Sequence, residues 1–176
     1  VTGVQTCALP ILPTRPQARK VLLSCHEKNL FEVGKIKQYW DEAIFLNQKH
    51  VDYHSNYKGK YRIIPNLREE LKKSDKTGLE KIAGIIGSVD ENKQTHVSIE
   101  RAIADGCEKI YLFGITETPY FYNTVKPLCE KYDNVIIKGH VENKQEIYNM
   151  IGRVYHSSLS EVACLVKDEC YLTNTI

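Results

Sequence analysis

From Lys20 onward the chain alternates short apolar runs with longer stretches of mixed polarity. Val21-Leu22-Leu23-Ser24 predicts a short strand, Leu30 to Trp40 a helix, and Ala43-Ile44-Phe45-Leu46 a second strand. Gln48 to Gly59 is polar and rich in His, Tyr and Asn, which predicts irregular or weakly helical chain. Tyr61-Arg62-Ile63-Ile64 is a further strand, closed by the breaker Pro65-Asn66. The charged run from Arg68 to Lys81 has little apolar periodicity and breaks near Gly78; that composition predicts a solvated linker and a domain boundary.

Beyond the linker the pattern sharpens. Ile82-Ala83-Gly84-Ile85-Ile86 is apolar at every position, as a strand buried on both faces must be. A helix is expected from about Lys93, with Ile99, Ala102 and Ile103 on one stripe and Gly106 just past its end. Ile110 to Gly114 forms the next strand. Thr118-Pro119 supplies a cap and a first-turn proline, and Pro127 should kink or restart the helix that follows. Val135-Ile136-Ile137 is a third strand ending near Gly139. Asn143 and Glu146 have the spacing of a capping box, ahead of a stripe of Ile147, Met150 and Ile151. Val154-Tyr155-His156 predicts a fourth strand, Glu161 to Cys170 a fourth helix, and Tyr171-Leu172-Thr173 a fifth strand. Such alternation predicts an α/β fold: a Rossmann-like parallel sheet with helices on both faces.

Composition narrows the function classes. Lys and Arg number 24 against 22 Asp and Glu, a net charge of +2, so no strong field favours nucleic acid or an acidic membrane. The aromatic and basic residues around Tyr53, Tyr57 and Tyr61 form one short patch, which is ordinary surface at this net charge. No apolar run approaches the roughly 20 residues of a bilayer span, so no transmembrane segment is expected. Six cysteines form no CxxC pair, and no signal peptide is visible; reduced thiols in a cytoplasmic protein are expected. Cys25, His26, His50 and His54 fit no standard ligand spacing, and no metal site is expected. The first residue is Val1 and the single methionine is Met150, so both ends read as cut. The opening Val1 to Ile11 resembles a translated sequencing adapter and is expected to be extraneous.

In open α/β sheets ligands bind beyond the carboxyl ends of the strands, beside helix N-termini. Four loops meet that condition: Gly87 to Lys93, Gly114 to Thr118, Gly139 to Asn143, and Ser157 to Glu161. Glycine there lets backbone amides approach an anion, though it also serves plain turns. Glu161 and Glu169 frame the expected last helix eight residues apart, a helical span of about 12 Å. That length matches a ligand with a sugar at one end and a ribose at the other, and carboxylates suit paired hydroxyls. Spacing alone equally fits Glu161 stabilising a helix N-terminus and Glu169 lying in solvent.

A sequence of motifs adds a resemblance. Ile63-Ile64-Pro65-Asn66, then Ile86-Gly87-Ser88-Val89-Asp90-Glu91-Asn92-Lys93, Leu112-Phe113-Gly114, Val135-Ile136-Ile137-Lys138-Gly139-His140-Val141 and Ile147-Tyr148 follow in order. With the segment from Ser160 to Glu169, they resemble the second half of a GT-B glycosyltransferase, and Glu161 to Glu169 is similar to the E-x7-E segment of the retaining family 4. The resemblance covers about Tyr61 to Ile176. It implies an acceptor-side remnant and hinge at 12–66 and an incomplete nucleotide-sugar-binding domain at 67–176, with residues 1–11 outside both. It implies a glycosyltransferase moving a sugar from a nucleoside-diphosphate sugar to an acceptor hydroxyl, with retention and no essential metal. The acceptor is undefined, no cofactor beyond the donor substrate is expected, and peripheral membrane contact would belong to an acceptor-side domain.

Carried over, Lys93 matches the basic residue on the donor diphosphate and Glu161 the acidic residue beside the donor sugar; these two are the implied catalytic residues. Gly87 and Ser88 belong to the diphosphate loop, with Ser88 standing where the family usually has an arginine. Cys164 and Leu165 lie where backbone amides approach sugar and phosphate, although Ala163-Cys164 replaces the usual Phe-Gly. Glu169 matches the ribose-binding residue, and Gly139, His140 and Val141 the loop that holds the base. Lys93 also fits an ordinary first-turn lysine, and His140 a solvent-facing loop residue. His26 follows a strand where the family often has a histidine near the sugar, but its distance from Pro65-Asn66 is short. A non-catalytic nucleotide-binding α/β module remains the alternative; a receiver domain is disfavoured because Gly87-Ser88 and Gly114-Ile115 supply neither an acidic cluster after a first strand nor a phosphoacceptor Asp closing a later one.

Overall fold

A computed structural model describes residues 20, 22–25, 40–66 and 70–176. The adapter-like segment 1–11, most of the helix expected at 30–40, and His26 lie outside the described residues. The chain divides into two compact units, Val1–Arg68 and Glu69–Ile176.

The first unit carries a parallel three-stranded sheet of β1 (Leu22–Ser24), β2 (Glu42–Phe45) and β3 (Tyr61–Ile63), in that order. The polar stretch after β2 is helical: α1 (Gln48–Tyr53) starts at Asn47, whose side chain accepts the His50 N–H at 2.8 Å. His50 and His54 are buried against Phe45. His50 Nδ1 accepts the Leu46 N–H at 3.2 Å, and His54 Nδ1 donates to the His50 carbonyl at 2.9 Å.

The second unit is built on four parallel strands: β4 (Ile82–Ile86), β5 (Lys109–Phe113), β6 (Val135–Gly139) and β7 (Arg153–Val154). Their order is β6-β5-β4-β7, so the chain builds outward in one direction and then reverses past β4. Side chains alternate between two cores. Ala83, Ile85, Ile110 and Leu112 pack with Ile99 and Ala102 of α2 (Thr95–Ala104) and with Phe121 and Val125. Ile82, Ile86, Tyr111 and Phe113 face Ile147, Tyr148 and Ile151, which α4 (Lys144–Asn149) and the residues after it supply. Helices on both faces explain why β4 and β5 carry no polar alternation. Gly84 belongs to the second face, where a Cβ would stand 2.5 Å from Ile151 Cδ1.

Local signals hold with small shifts. Gly106 ends α2 at φ +70°. Thr118 Oγ1 accepts the Phe121 N–H at 3.0 Å. A π turn over Phe121–Val125 precedes α3 (Lys126–Lys131), so the helix widens where Pro127 withholds the N–H that would have reached Asn123. Asn143 caps α4 by accepting the Gln145 N–H at 3.1 Å, and its Nδ2 donates to Glu146 Oε1 at 2.9 Å.

Three expectations are revised. The expected strand 171–173 is the end of α5 (Leu165–Thr173), where Thr173 Oγ1 donates to the Glu169 carbonyl one turn back and Asn174 closes the helix at φ +58°. Ladder bonding occurs later, where Ile176 donates to Gly152 and accepts from Val154. The last helix also starts four residues beyond Glu161, at Leu165, after irregular chain that bends at Val162 and Ala163. The run expected as a solvated linker has mostly exposed side chains, but Leu71 packs against the second core and the backbone is tethered. Lys72 exchanges two hydrogen bonds with the Gln145 amide, Ser74 bonds the Thr173 carbonyl, and Lys76 Nζ caps the end of α4 through Tyr148 and Ile151 carbonyls.

Candidate functional site

A reversal of strand order leaves a crevice at the carboxyl ends of the two strands flanking it, here β4 and β7. Beside it the backbone is tightly set. Gly87 donates to the Phe113 carbonyl at 3.0 Å, and Gly114 at φ +145° lies so close that a Cβ there would stand 1.8 Å from the Gly87 oxygen. Gly114 in turn donates to the Gly139 carbonyl at 2.9 Å, so the three strand-ending glycines run side by side.

Asp90 folds the loop after β4 by accepting from Ser88 Oγ at 2.6 Å and from the Lys93 N–H at 2.9 Å. Gln94 then enters α2 in the left-handed region at φ +45°, without a side-chain cap on the helix. Such strain in a non-glycine residue is kept only where surroundings impose it. Lys93 therefore sits in the turn before α2 rather than in its first helical turn.

A shallow, solvent-open hollow lies in the crevice, lined among others by Gly87, Ser88, Lys93, Thr95, Ser98 and His156. Lys93 Nζ forms an ion pair with Glu161 Oε1, and His156 Nε2 approaches the same oxygen at 3.2 Å. Burial pushes the Glu161 carboxyl up, but hydrogen bonds from Lys93 and Ser158 and the Lys93 charge outweigh it, holding the group below its ordinary value of 4.5. An ionised carboxylate only accepts, so His156 Nε2 carries the proton and donates to Glu161. Asn92 laces the two loops together. Its Nδ2 donates to Ser158 Oγ and to the Ser160 carbonyl, both at 3.2 Å, and its carbonyl accepts the Leu159 N–H at 2.8 Å.

Of the residues expected from the sequence, Gly87, Ser88, Lys93 and Glu161 thus come together. Glu169 stands apart from this hollow's lining, 7% exposed on α5. Its Oε2 accepts from Tyr148 Oη at 2.7 Å and its Oε1 from Lys144 Nζ at 2.7 Å. Burial and then the Glu169 carboxylate push the Tyr148 phenol up. Cys164 is the N-cap of α5, at φ −83°, and Leu165 opens the helix; no glycine-only conformation is needed there. Gly139 ends β6, and His140 and Val141 follow it at the same end of the sheet, all three outside the lining of the hollow.

Sequence reasoning missed His156, because the fourth strand was expected to run through it. The strand stops at Val154, which puts His156 in the loop where ligands bind. The signal available was its place just beyond the strand that reverses the order. Among the described residues no group of three or more His, Cys, Asp or Glu side chains is placed to hold a metal ion, and no helix is long and apolar enough to cross a membrane.

No family model and no curated protein matches the chain. Solved structures do. TarM is similar at TM-score 0.65 and 19% identity, over 88% of this chain and 35% of that one. The pneumococcal O-GlcNAc transferase GtfA, solved with UDP and GlcNAc, is similar at 0.62 and 16%, over 78% and 29%. Anabaena HepE, solved with UDP-glucose, is similar at 0.63 and 17%, over 78% and 44%. The chain therefore spans less than half the length of each. At these identities the likeness establishes the α/β, Rossmann-like fold.

Proposed function

We propose that residues 67–176 form the donor-binding domain of a GT-B glycosyltransferase similar to family 4, which moves a sugar from a nucleoside-diphosphate sugar to an acceptor hydroxyl. In this reading transfer proceeds with retention of configuration and without an essential divalent metal, in the cytoplasm; the free thiols Cys25, Cys107, Cys129, Cys164 and Cys170 suit a reducing compartment. The observation that carries the reading is the Lys93–Glu161 pair beside the hollow at the strand-order reversal. The similar structures solved with UDP, UDP-glucose or UDP and GlcNAc support a uridine donor as the first to test.

The roles follow from the chemistry of each group. Phosphate oxygens compete with Glu161 for Lys93, and the lysine charge together with loop amides near Gly87 stabilises negative charge growing on the departing diphosphate. Ser88 supplies a hydroxyl where a second cation would stand, so Lys93 bears most of the electrostatic load. Glu161 takes hydroxyls of the sugar. Glu169 accepts one bond at each oxygen, which leaves a lone pair on each for ribose hydroxyls. The loop of Gly139, His140 and Val141 holds the base, and the amides at Cys164 and Leu165 face sugar and phosphate.

Calorimetric titration of the chain with UDP tests this. Lys93→Ala should weaken binding about tenfold or more, since hydrogen bonds to charged groups contribute about 1.5–3 kcal/mol. Equal affinity in the variant and the parent would remove Lys93 from the site. A binding-only module, favoured by Ser88 in the arginine position, would bind UDP alike but leave a UDP-sugar unconsumed in the presence of acceptors.

A further inference from the structure

Glu161 Oε1 receives two donors at once, the Lys93 ammonium and the His156 imidazole; Oε2 carries neither ion-pair contact, and Ser158, on the same loop as His156, also hydrogen-bonds the carboxylate. Lys93 is the partner that a diphosphate would draw away, because a phosphate offers more negative charge than a carboxylate already shared with a histidine. His156 has no such competitor. It lies two residues beyond β7, lines the hollow itself, and is 23% exposed. The loop that holds it is fixed to the first helix layer: Ser98 Oγ donates to Ser157 Oγ at 3.0 Å, and Arg101 Nη1 reaches the same oxygen at 3.5 Å. A donor mounted on so firmly tied a loop can hold its acceptor when the mobile partner leaves.

We infer that His156 is a positioning residue for the donor sugar: its Nε2–H keeps Glu161 turned into the hollow once Lys93 has passed to the diphosphate. Binding is then an exchange of partners. The free site holds Lys93 and His156 on one carboxylate oxygen; the loaded site has Lys93 on phosphate, His156 still on Oε1, and Oε2 presented to sugar hydroxyls. No covalent bond changes in this exchange. The inference rests on the donor-site reading above and goes beyond it by separating sugar recognition from phosphate recognition.

The test compares UDP with UDP-glucose and UDP-GlcNAc by calorimetry on the chain, its His156→Ala variant and its His156→Gln variant, with a thermal melt of each. His156→Ala should leave UDP affinity unchanged and lower affinity for whichever UDP-sugar binds best by about tenfold, the scale of one hydrogen bond to a carboxylate. His156→Gln, which can place an amide N–H where Nε2 stood, should restore most of that loss. A fall of equal size for UDP and UDP-sugar, no change for either, or failure of the glutamine to restore the loss would overturn the role of His156 and leave the donor site standing. A parent chain that binds neither UDP nor UDP-sugars would overturn the donor-site reading and this inference with it.

Discussion

Glu161 and Glu169 are the same residue eight positions apart, yet their surroundings are opposite. Glu169 is clasped between two helices by a buried tyrosine hydroxyl and by Lys144. Glu161 lies on irregular chain, partly open, bound to an ammonium and an imidazole that both face the hollow. Around Glu169 side chains make the structure. Around Glu161 the backbone makes it: glycines packed carbonyl to Cα, Asp90 tying a loop to itself, and Asn92 lacing one loop to another. A carboxylate whose partners are built into the fold contributes stability; one whose partners sit on ligand-facing loops is available for exchange.

Changing the crevice backbone should therefore do the most damage. Gly114→Ala sets a Cβ against the Gly87 oxygen at φ +145°, and should cost roughly 3 kcal/mol or more in denaturant unfolding. A loss below about 1 kcal/mol would show that the loops simply move apart. Glu169→Ala comes next, at about 2 kcal/mol, because it strands the buried Tyr148 hydroxyl. Adding Tyr148→Phe to it should recover part of that loss, and strictly additive costs would sever the pair.

Glu161→Gln should change stability by no more than about 0.5 kcal/mol, far less than Glu169→Ala, while weakening UDP-sugar binding. The smallest effect is on acid stability. Glu161 is held below 4.5 when folded, so its ionised form adds stability above that pH, and the contribution is lost as pH falls through the lowered folded value. The stability difference between the parent and Glu161→Gln should shrink on acidification below pH 4.5, and a difference that widens there would reverse the assigned sign.

The same contrast explains what the sequence disclosed. The all-apolar runs at Ile82–Ile86 and Ile110–Phe113 could only be strands covered on both faces, and the glycines after them marked the ligand-binding edge. Thr118, Asn143 and Gly106 act through their own neighbours, so their capping roles were readable locally. Tyr171 to Thr173 was misread because a β-branched, aromatic triplet scores as strand, while in the fold it completes the last turn of α5, which Asn174 ends in the left-handed region. Asn92 was invisible because its partners Ser158 and Ser160 lie on the loop after β7, more than sixty residues away, and only the pairing of β4 with β7 brings the two loops together; His156 was missed because the expected strand ran two residues too far. The resemblance to glycosyltransferases indicated Lys93 and Glu161, but not that they pair.

The central claim is that the crevice between β4 and β7 receives the diphosphate of a nucleotide. Amide chemical shifts of the chain, followed by heteronuclear NMR as UDP is added, test it at residue level. Gly87, Ser88 and Lys93 should shift most and saturate together. Shifts confined to other surfaces, or spectra unchanged at millimolar UDP, would contradict it.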